Sequence, residues 1–395
     1  LLSATPLDEL QRRLSALQAA LAAHGLDGAL LLQNVDLYYF TATSQNAHLF
    51  VPAAGEPLLL VKRNLARARA ESPLTCIHPM PSLKELPAFL KEHGYGLPTK
   101  MGMELDVWPA AQYLYYQKIF PTVDITDVTP LIREIRAVKS PFELELMRSA
   151  ARLTDEVFAA IPSMVEIGMS EMELAGKVEA LFRKKGHPGL VRMRGFNQEL
   201  VYGHLLSGAN MAEPSCANSP TGGTGTGPDF PHGAGRKAIA RDEPFQVDYV
   251  GSFHGYLIDQ TRLFVPGKLS PVLERAFQTA LAIQARLAEM GRPGVPAGEL
   301  YDEAARMAEA AGFGGHFMGD PHSCGFLGHG IGLELNELPV IAPGFQMPLA
   351  NGMTIALEPK FIFNGLGLAG IENSFVVTEK GMERLGTLPD EIVYI

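Results

Sequence analysis

From residue 7, the apolar positions Leu7, Leu10, Leu14, Leu17 and Leu21 recur at three- and four-residue spacing and stop before Gly25. This predicts an amphipathic helix docked on an apolar surface. Thr5, Pro6 and Asp8 supply its cap, first-turn proline and N-terminal acid. The pattern then changes period. GALLLQ (28–33) and PLLLVK (57–62) are short continuous apolar runs that suit central strands, and helical patterns follow around 82–93 and 109–117. The alternation predicts an α/β domain. No titratable cluster within it stands out as a site.

LIREIRAVKS (131–140) marks a change of composition, and we place a domain boundary near Arg136, giving domains 1–135 and 136–395. Ser140, Pro141 and Glu143 form a capping signature that opens a helix running to about Ile161. Ser270-Pro271 opens a second long helical pattern. Gly168, Glu173-Leu174 and Gly186 share their internal spacing with Gly294, Glu299-Leu300 and Gly312, each set framing a helix that ends at glycine. The repeat implies a duplicated helix-plus-sheet unit within one pseudo-symmetric domain; a chance match of a few glycines is the alternative.

Length and charge narrow the classes. A chain of 395 residues exceeds one hydrophobic core, and 47% apolar against 19% charged residues is the balance of a folded globular protein. A net charge of -10 supplies no broad basic face, which argues against nucleic-acid and anionic-membrane partners and for a small substrate. Cys76, Cys216 and Cys324 are too few and too scattered for a disulfide framework or a thiolate zinc site, so the expected compartment is the cytoplasm. LLSATPLDELQRR lacks a secretory h-region and no later apolar run reaches membrane-spanning length, so the protein is expected to be neither exported nor anchored.

The chemistry lies in the second domain. PFQVDYVGSFHGYLIDQTRLFV reads as a hairpin around GSFHG. With the turn centred between Phe253 and His254, Asp248 and Asp259 become direct cross-strand partners, Cβ atoms about 5 Å apart. Two facing carboxylates destabilise a sheet unless a cation lies between them; a bulge turning one of them to solvent is the alternative. In TIALEPKFIFNGLGLAGIENSFVV, Glu358 and Glu372 are equidistant from Gly365, which predicts a second facing pair. FLGHGIGLELNELP adds a glycine-flanked imidazole, His329. Four carboxylates and one imidazole form a hard, oxygen-rich ligand set suited to two divalent ions such as Mn²⁺, Co²⁺, Fe²⁺ or Zn²⁺. Two such ions about 3.5–4 Å apart serve hydrolysis.

The order Asp248, Asp259, His329, Glu358, Glu372, carried by DYVGSFHGYLIDQTR, GHGIGLELNE, ALEPKF and GIEN, resembles the pita-bread metallopeptidases: aminopeptidase P, prolidase, methionine aminopeptidase and the metal-free creatinase. Residues 1–135 resemble the creatinase-type N-terminal domain, especially DLYYFTATSQNAHLFVPAAGEPLLLVKR. The resemblance implies an α+β protein: a creatinase-type α/β N-terminal domain and a C-terminal pita-bread domain with a curved, mainly antiparallel sheet and pseudo-twofold duplication. It implies a dinuclear Xaa-Pro dipeptidase or aminopeptidase, with Mn²⁺ the expected metal and a homodimer the expected assembly. The five residues are then metal ligands, and Glu358 also shuttles the proton of the attacking water.

His232, in FPHGAGRKAIARDEPFQVD sixteen residues before Asp248, matches a family histidine and becomes the candidate for contacting substrate or helping proton transfer. Two positions depart from the pattern. Asn336 stands where many relatives have a second histidine that stabilises the tetrahedral intermediate, and it retains a hydrogen-bond donor without a charge. Gly370 stands where some relatives have arginine, which puts arginine-mediated recognition in doubt. The insertion before Pro231 carries TGGTGTG (221–227), which lacks the Lys-Ser/Thr of a phosphate loop and is expected as an ordered loop near the metal mouth. His204, His316 and His322 are further candidates for lining the pocket, with packing in the core or at the surface the expected fate of any one of them. A non-peptidase small-amide hydrolase or lyase, and a catalytically silent binding module, are the alternative functions.

Overall fold

The computed structural model describes residues 5–80, 82–319 and 324–395, which fall into two compact units. The first comprises residues up to Arg136 together with Arg194–Asn197; the second comprises Ala137–Met193 and Gln198–Ile395. Among the described residues no helix is long and apolar enough to cross a membrane.

In the first unit, α1 (Leu7–Ala23), β1 (Gly28–Leu31), α2 (Asn34–Thr41), β2 (Ala47–Pro52), β3 (Leu58–Val61), α3 (Leu65–Glu71) and β4 (Ile77–Pro79) lead into α4 (Leu86–Glu92), β5 (Lys100–Met103), α5 (Ala110–Ile119), β6 (Asp124–Asp127) and α6 (Thr129–Ala137). The sheet runs β4-β3-β2-β1-β5-β6, antiparallel across β1–β2–β3 and parallel elsewhere. Leu10, Leu17 and Leu21 of α1 are wholly buried, each removed from water at a gain of roughly 1.5–3 kcal/mol. Thr5 does not cap α1: Pro6 holds the cap position without a side-chain bond, its ring fixing φ at -59°.

This unit also holds a buried ionic cluster that periodicity did not reveal. Asp36 receives Arg136 Nη1 at 2.7 Å and Arg194 Nη1 at 2.8 Å, and Arg194 Nε reaches Asp106 at 2.6 Å. Burial, then the Asp36 carboxylate, push Glu104 well above the usual carboxylate range, while the backbone N–H of Leu32 donates to it. Every charge is paired or hydrogen-bonded, which is the condition for keeping it out of water.

The second unit begins with α7 (Pro141–Ala160), held by the reciprocal Ser140–Glu143 capping box, and α8 (Glu171–Lys184), held by an equivalent Ser170–Glu173 box. Then come β7 (Gly203–Ser207), β8 (Phe245–Phe253), β9 (Tyr256–Val265), α9 (Pro271–Met290) and α10 (Ala297–Ala310). The chain finishes through β10 (Gly328–Gly330), β11 (Glu337–Ile341), β12 (Thr354–Leu357), β13 (Lys360–Phe363), β14 (Gly367–Gly370), β15 (Asn373–Thr378), β16 (Gly381–Arg384) and β17 (Val393–Tyr394). The strands form ladders β11-β10-β12-β15-β16, β13-β14 and β17-β9-β8-β7, antiparallel except for β17 on β9.

Both helix pairs measure 20 and 14 residues. Their framing glycines share the left-handed conformation, Gly168 with Gly294 and Gly186 with Gly312. The first pair packs Val157, Phe158, Leu174 and Val178 against Phe245, Val247 and Tyr249. The second packs Phe277, Ile283, Leu300 and Ala304 against Ile355, Leu357 and Phe375. The repeated spacing in the sequence therefore corresponds to two helix pairs, each covering its own part of the sheet system.

Candidate metal centre

The first carboxylates are placed by a turn. β8 and β9 are joined by His254-Gly255, whose φ values of 50° and 84° belong to a two-residue hairpin loop of the primed kind. That loop fixes Phe253 opposite Tyr256, hence Val250 opposite Asp259 and Asp248 opposite Thr261. The direct Asp248–Asp259 pairing expected from the sequence is corrected. The turn centre lies between His254 and Gly255, one residue later than assumed, so the two aspartates are diagonal neighbours. They still share a face because the offset is even.

Glu358 and Glu372 lie between two ladders of one register, Leu357 opposite Asn373 on one side and Lys360 opposite Gly370 on the other. They are therefore opposed about Gly365, whose φ of 75° makes the turn. A bridge between Thr261 and Glu372 brings the two hairpins together, and Thr261 Oγ1 donates to Glu372 Oε2 at 2.8 Å. His329 arrives on β10, opposite Ala356 and Val340. Its glycine neighbours are sterically required: a Cβ on Gly328 would lie 2.4 Å from Ala356 O, and one on Gly330 2.1 Å from Leu338 O.

These residues meet in two overlapping groups. Asp259, His329 and Glu372 each offer an atom within 4.8 Å of the others, as do Asp248, Glu358 and Glu372. His329 Nε2 stands 3.8 Å from Asp259 Oδ2. Asp259 Oδ1 and Glu372 Oε1 are buried without any hydrogen-bond donor. Burial, then the Asp248 carboxylate, push Asp259 well above its ordinary pKa; burial, then Asp259, do the same to Glu372.

The second group contains a residue the sequence reading passed over. Lys360 is wholly buried, and its Nζ donates to Asp248 Oδ2 at 2.7 Å, Glu358 Oε2 at 2.7 Å and Glu372 Oε2 at 3.2 Å. Burial works against its charge, but the three carboxylates outweigh burial and raise its pKa well above the ordinary value. Burial likewise opposes ionisation of Asp248, yet the ammonium holds that carboxyl below its ordinary range. The available signal was a lysine opening an otherwise apolar strand, KFIF, two residues after one candidate ligand and opposite a glycine.

His232 is half-buried, its ring 6.0 Å from that of His204 and 4.2 Å from that of Phe230. His204 is opposite Asp248 on β7, and burial lowers its pKa to about 4, which keeps the imidazole neutral. His204 Nδ1 lies 3.2 Å from Thr221 Oγ1. The 221–227 loop is pinned to the His232 segment: Gly233 N donates to Gly222 O at 2.8 Å and Thr226 N to Phe230 O at 3.2 Å. Asn336 is half-buried just before β11. His316 stacks on Phe363 and meets Ile362 O, a packing role, and His322 lies outside the described residues.

Comparison with known proteins gives the chain a family. A profile of metallopeptidase family M24 matches residues 145–379, more than half of the chain. The chain belongs to metallopeptidase family M24. The creatinase/prolidase N-terminal domain matches residues 13–138. An Xaa-Pro dipeptidase of Pyrococcus furiosus is 26% identical over 388 residues, 97% of this chain and 100% of that protein. The Xaa-Pro dipeptidase structure from Bacillus anthracis superposes with a TM-score of 0.83 at 23% identity, covering 98% of this chain and 100% of the other. A dipeptidase structure from Pyrococcus horikoshii gives 0.79 at 28% identity, covering 97% and 100%.

The family implies divalent metal ions, and the donor set bears on how they would fit. Asp259, His329 and Glu372 fit an ion well: two carboxylates with donorless buried oxygens and an imidazole converge, and a cation would satisfy them. The oxygens of the Asp248, Glu358 and Glu372 group already embrace the ammonium of Lys360.

Proposed function

We propose that the protein is a metal-dependent peptidase that hydrolyses short peptides, an Xaa-Pro dipeptidase or aminopeptidase. The observation that carries this reading is the convergence of Asp248, Asp259, His329, Glu358 and Glu372 into two cation positions sharing Glu372. The Xaa-Pro preference is supported by the relatives named as Xaa-Pro dipeptidases over nearly the full chain.

In this reading the five residues are the ligands of the cation positions. When bound, a divalent ion supplies Lewis acidity for hydrolysis of the amide. The oxygen-rich donor set supports Mn²⁺, with Co²⁺, Fe²⁺ or Zn²⁺ as substitutes. Glu358 carries the proton from water to the leaving amine; its Oε2 is engaged by Lys360, which leaves Oε1 for the transfer. His232 and Asn336 contact the peptide, and neutral His204 steadies the His232 side of the site. A homodimer in the cytoplasm is part of the same reading; the three thiols are all free, which suits a reducing compartment.

The test is hydrolysis of Met-Pro, Leu-Pro and a proline-free dipeptide by Mn²⁺-loaded protein, with Glu358→Gln as control. Xaa-Pro cleavage is expected, reduced by about 10²–10⁴ in the variant. Undiminished activity of the variant would remove Glu358 from proton transfer. Bound metal without peptide turnover would favour a hydrolase or lyase of another small amide, the reading to which Asn336 and Gly370 point. Absence of bound metal would favour a silent binding module.

A further inference from the structure

Lys360 changes what this site holds. Its Nζ sits among the carboxylate oxygens of Asp248, Glu358 and Glu372 at 2.7, 2.7 and 3.2 Å, the three residues that make up the second cation position. We propose that the Lys360 ammonium permanently occupies this position, so that the chain binds a single divalent ion, at Asp259, His329 and Glu372. The inference deepens the peptidase reading and rests on it.

Two features make the ammonium a built-in cation. The first is enclosure. Lys360 has no exposed surface, and its backbone is fixed in the β13–β14 ladder, with its carbonyl accepting Met318 N at 2.9 Å. The second is the strand opposite. Gly370 is the register partner of Lys360, and a Cβ there would lie 2.6 Å from Lys360 Cγ and 2.8 Å from its Cα. The missing side chain at 370 is therefore what accommodates the lysine stem, and the two residues act as a complementary pair.

Charge balance agrees with a single ion. Four carboxylates facing an ammonium and one dication keep a net charge of minus one, whereas a second dication beside the ammonium would turn the enclosed cluster positive. Ammonium and dication would also compete for the same three oxygens. Of the two donorless oxygens, Asp259 Oδ1 belongs to the other group, where the ion is expected, and Glu372 Oε1 to the carboxylate that both groups share, whose Oε2 is the oxygen facing the ammonium.

The experiment counts ions in the full chain. Protein dialysed against Mn²⁺ is analysed by mass spectrometry for bound metal and by electron paramagnetic resonance, and anomalous diffraction at the manganese edge locates the ion. One ion per chain, magnetically uncoupled, with its peak between Asp259, His329 and Glu372, is expected. Two ions per wild-type chain, or a peak between Asp248, Glu358 and Glu372, overturn the inference and leave the peptidase reading intact. No ion overturns both. Lys360→Ala is expected to take up a second ion and show a spin-coupled spectrum; a folded variant that stays at one ion overturns the inference. If that variant does not fold, the wild-type count and peak position still decide.

Discussion

Glu171 offers a quantitative test of how the chain holds the substrate side of the site. It is the first residue of α8 and is wholly buried. Its Oε1 accepts from Ser207 N at 2.7 Å and Ser207 Oγ at 2.9 Å, and its Oε2 from Asn210 Nδ2 at 2.7 Å and Gly235 N at 2.9 Å. One carboxylate thus ties the end of β7, the turn after it and the segment that follows His232. Glu171→Gln keeps the shape but makes one of the two oxygens a donor that must face other donors. The less costly orientation points the amide at Ser207, whose hydroxyl rotates to accept, while Ser207 N–H loses its acceptor. One charge-assisted bond and one buried unpaired donor together cost about 3–5 kcal/mol. By calorimetry this corresponds to a fall in Tm of roughly 6–20 °C for a unit of this size. Hydrogen exchange should quicken at residues 207 and 235. A midpoint within about 2 °C of wild type would refute the reasoning, because an amide would then satisfy four donors as well as a carboxylate does.

Acid should destabilise the fold before the ordinary carboxylate range is reached. Burial lowers the pKa of both His48 and His187 to about 4, below the unfolded value, so the unfolded chain binds more protons between roughly pH 6.5 and 4. Their contribution is complete above that window and is lost as pH falls through it, about 1–3 kcal/mol for each histidine; a thermal midpoint flat over that window contradicts the burial argument. Gly225 has a φ of 61°, and a Cβ there would lie 2.0 Å from Phe230 O and 2.6 Å from His232 N. Gly225→Ala should push the His232 segment outward, lowering kcat/KM for Xaa-Pro peptides by at least about tenfold while metal content stays unchanged. Wild-type kcat/KM in that variant would separate the loop from substrate binding.

The parts legible in the sequence are those set by spacing alone. The α1 leucines, the capping box at Ser140 and the repeated glycine frames follow from helix periodicity and cap chemistry, and Glu358 and Glu372 from symmetry about a turn. What escaped depends on three-dimensional register or burial. The Asp248 pairing was misjudged by two positions because GSFHG allows more than one turn centre, and only the left-handed His254 fixes it. Lys360 escaped because a strand-opening lysine usually reaches solvent. The Asp36, Arg136 and Arg194 cluster escaped because residues a hundred or more positions apart leave no local pattern.

The two-residue loop at His254-Gly255 constrains far more than its own conformation. Because side chains alternate across a strand, the orientation of Asp248 and Asp259 is a matter of odd and even counting from that loop. Lengthening it by a single residue would send one aspartate to the opposite side of the ribbon, where Tyr249 and Val247 now belong to the apolar interior. A surface bend several residues from any ligand is therefore as intolerant of insertion as the ligands are of substitution.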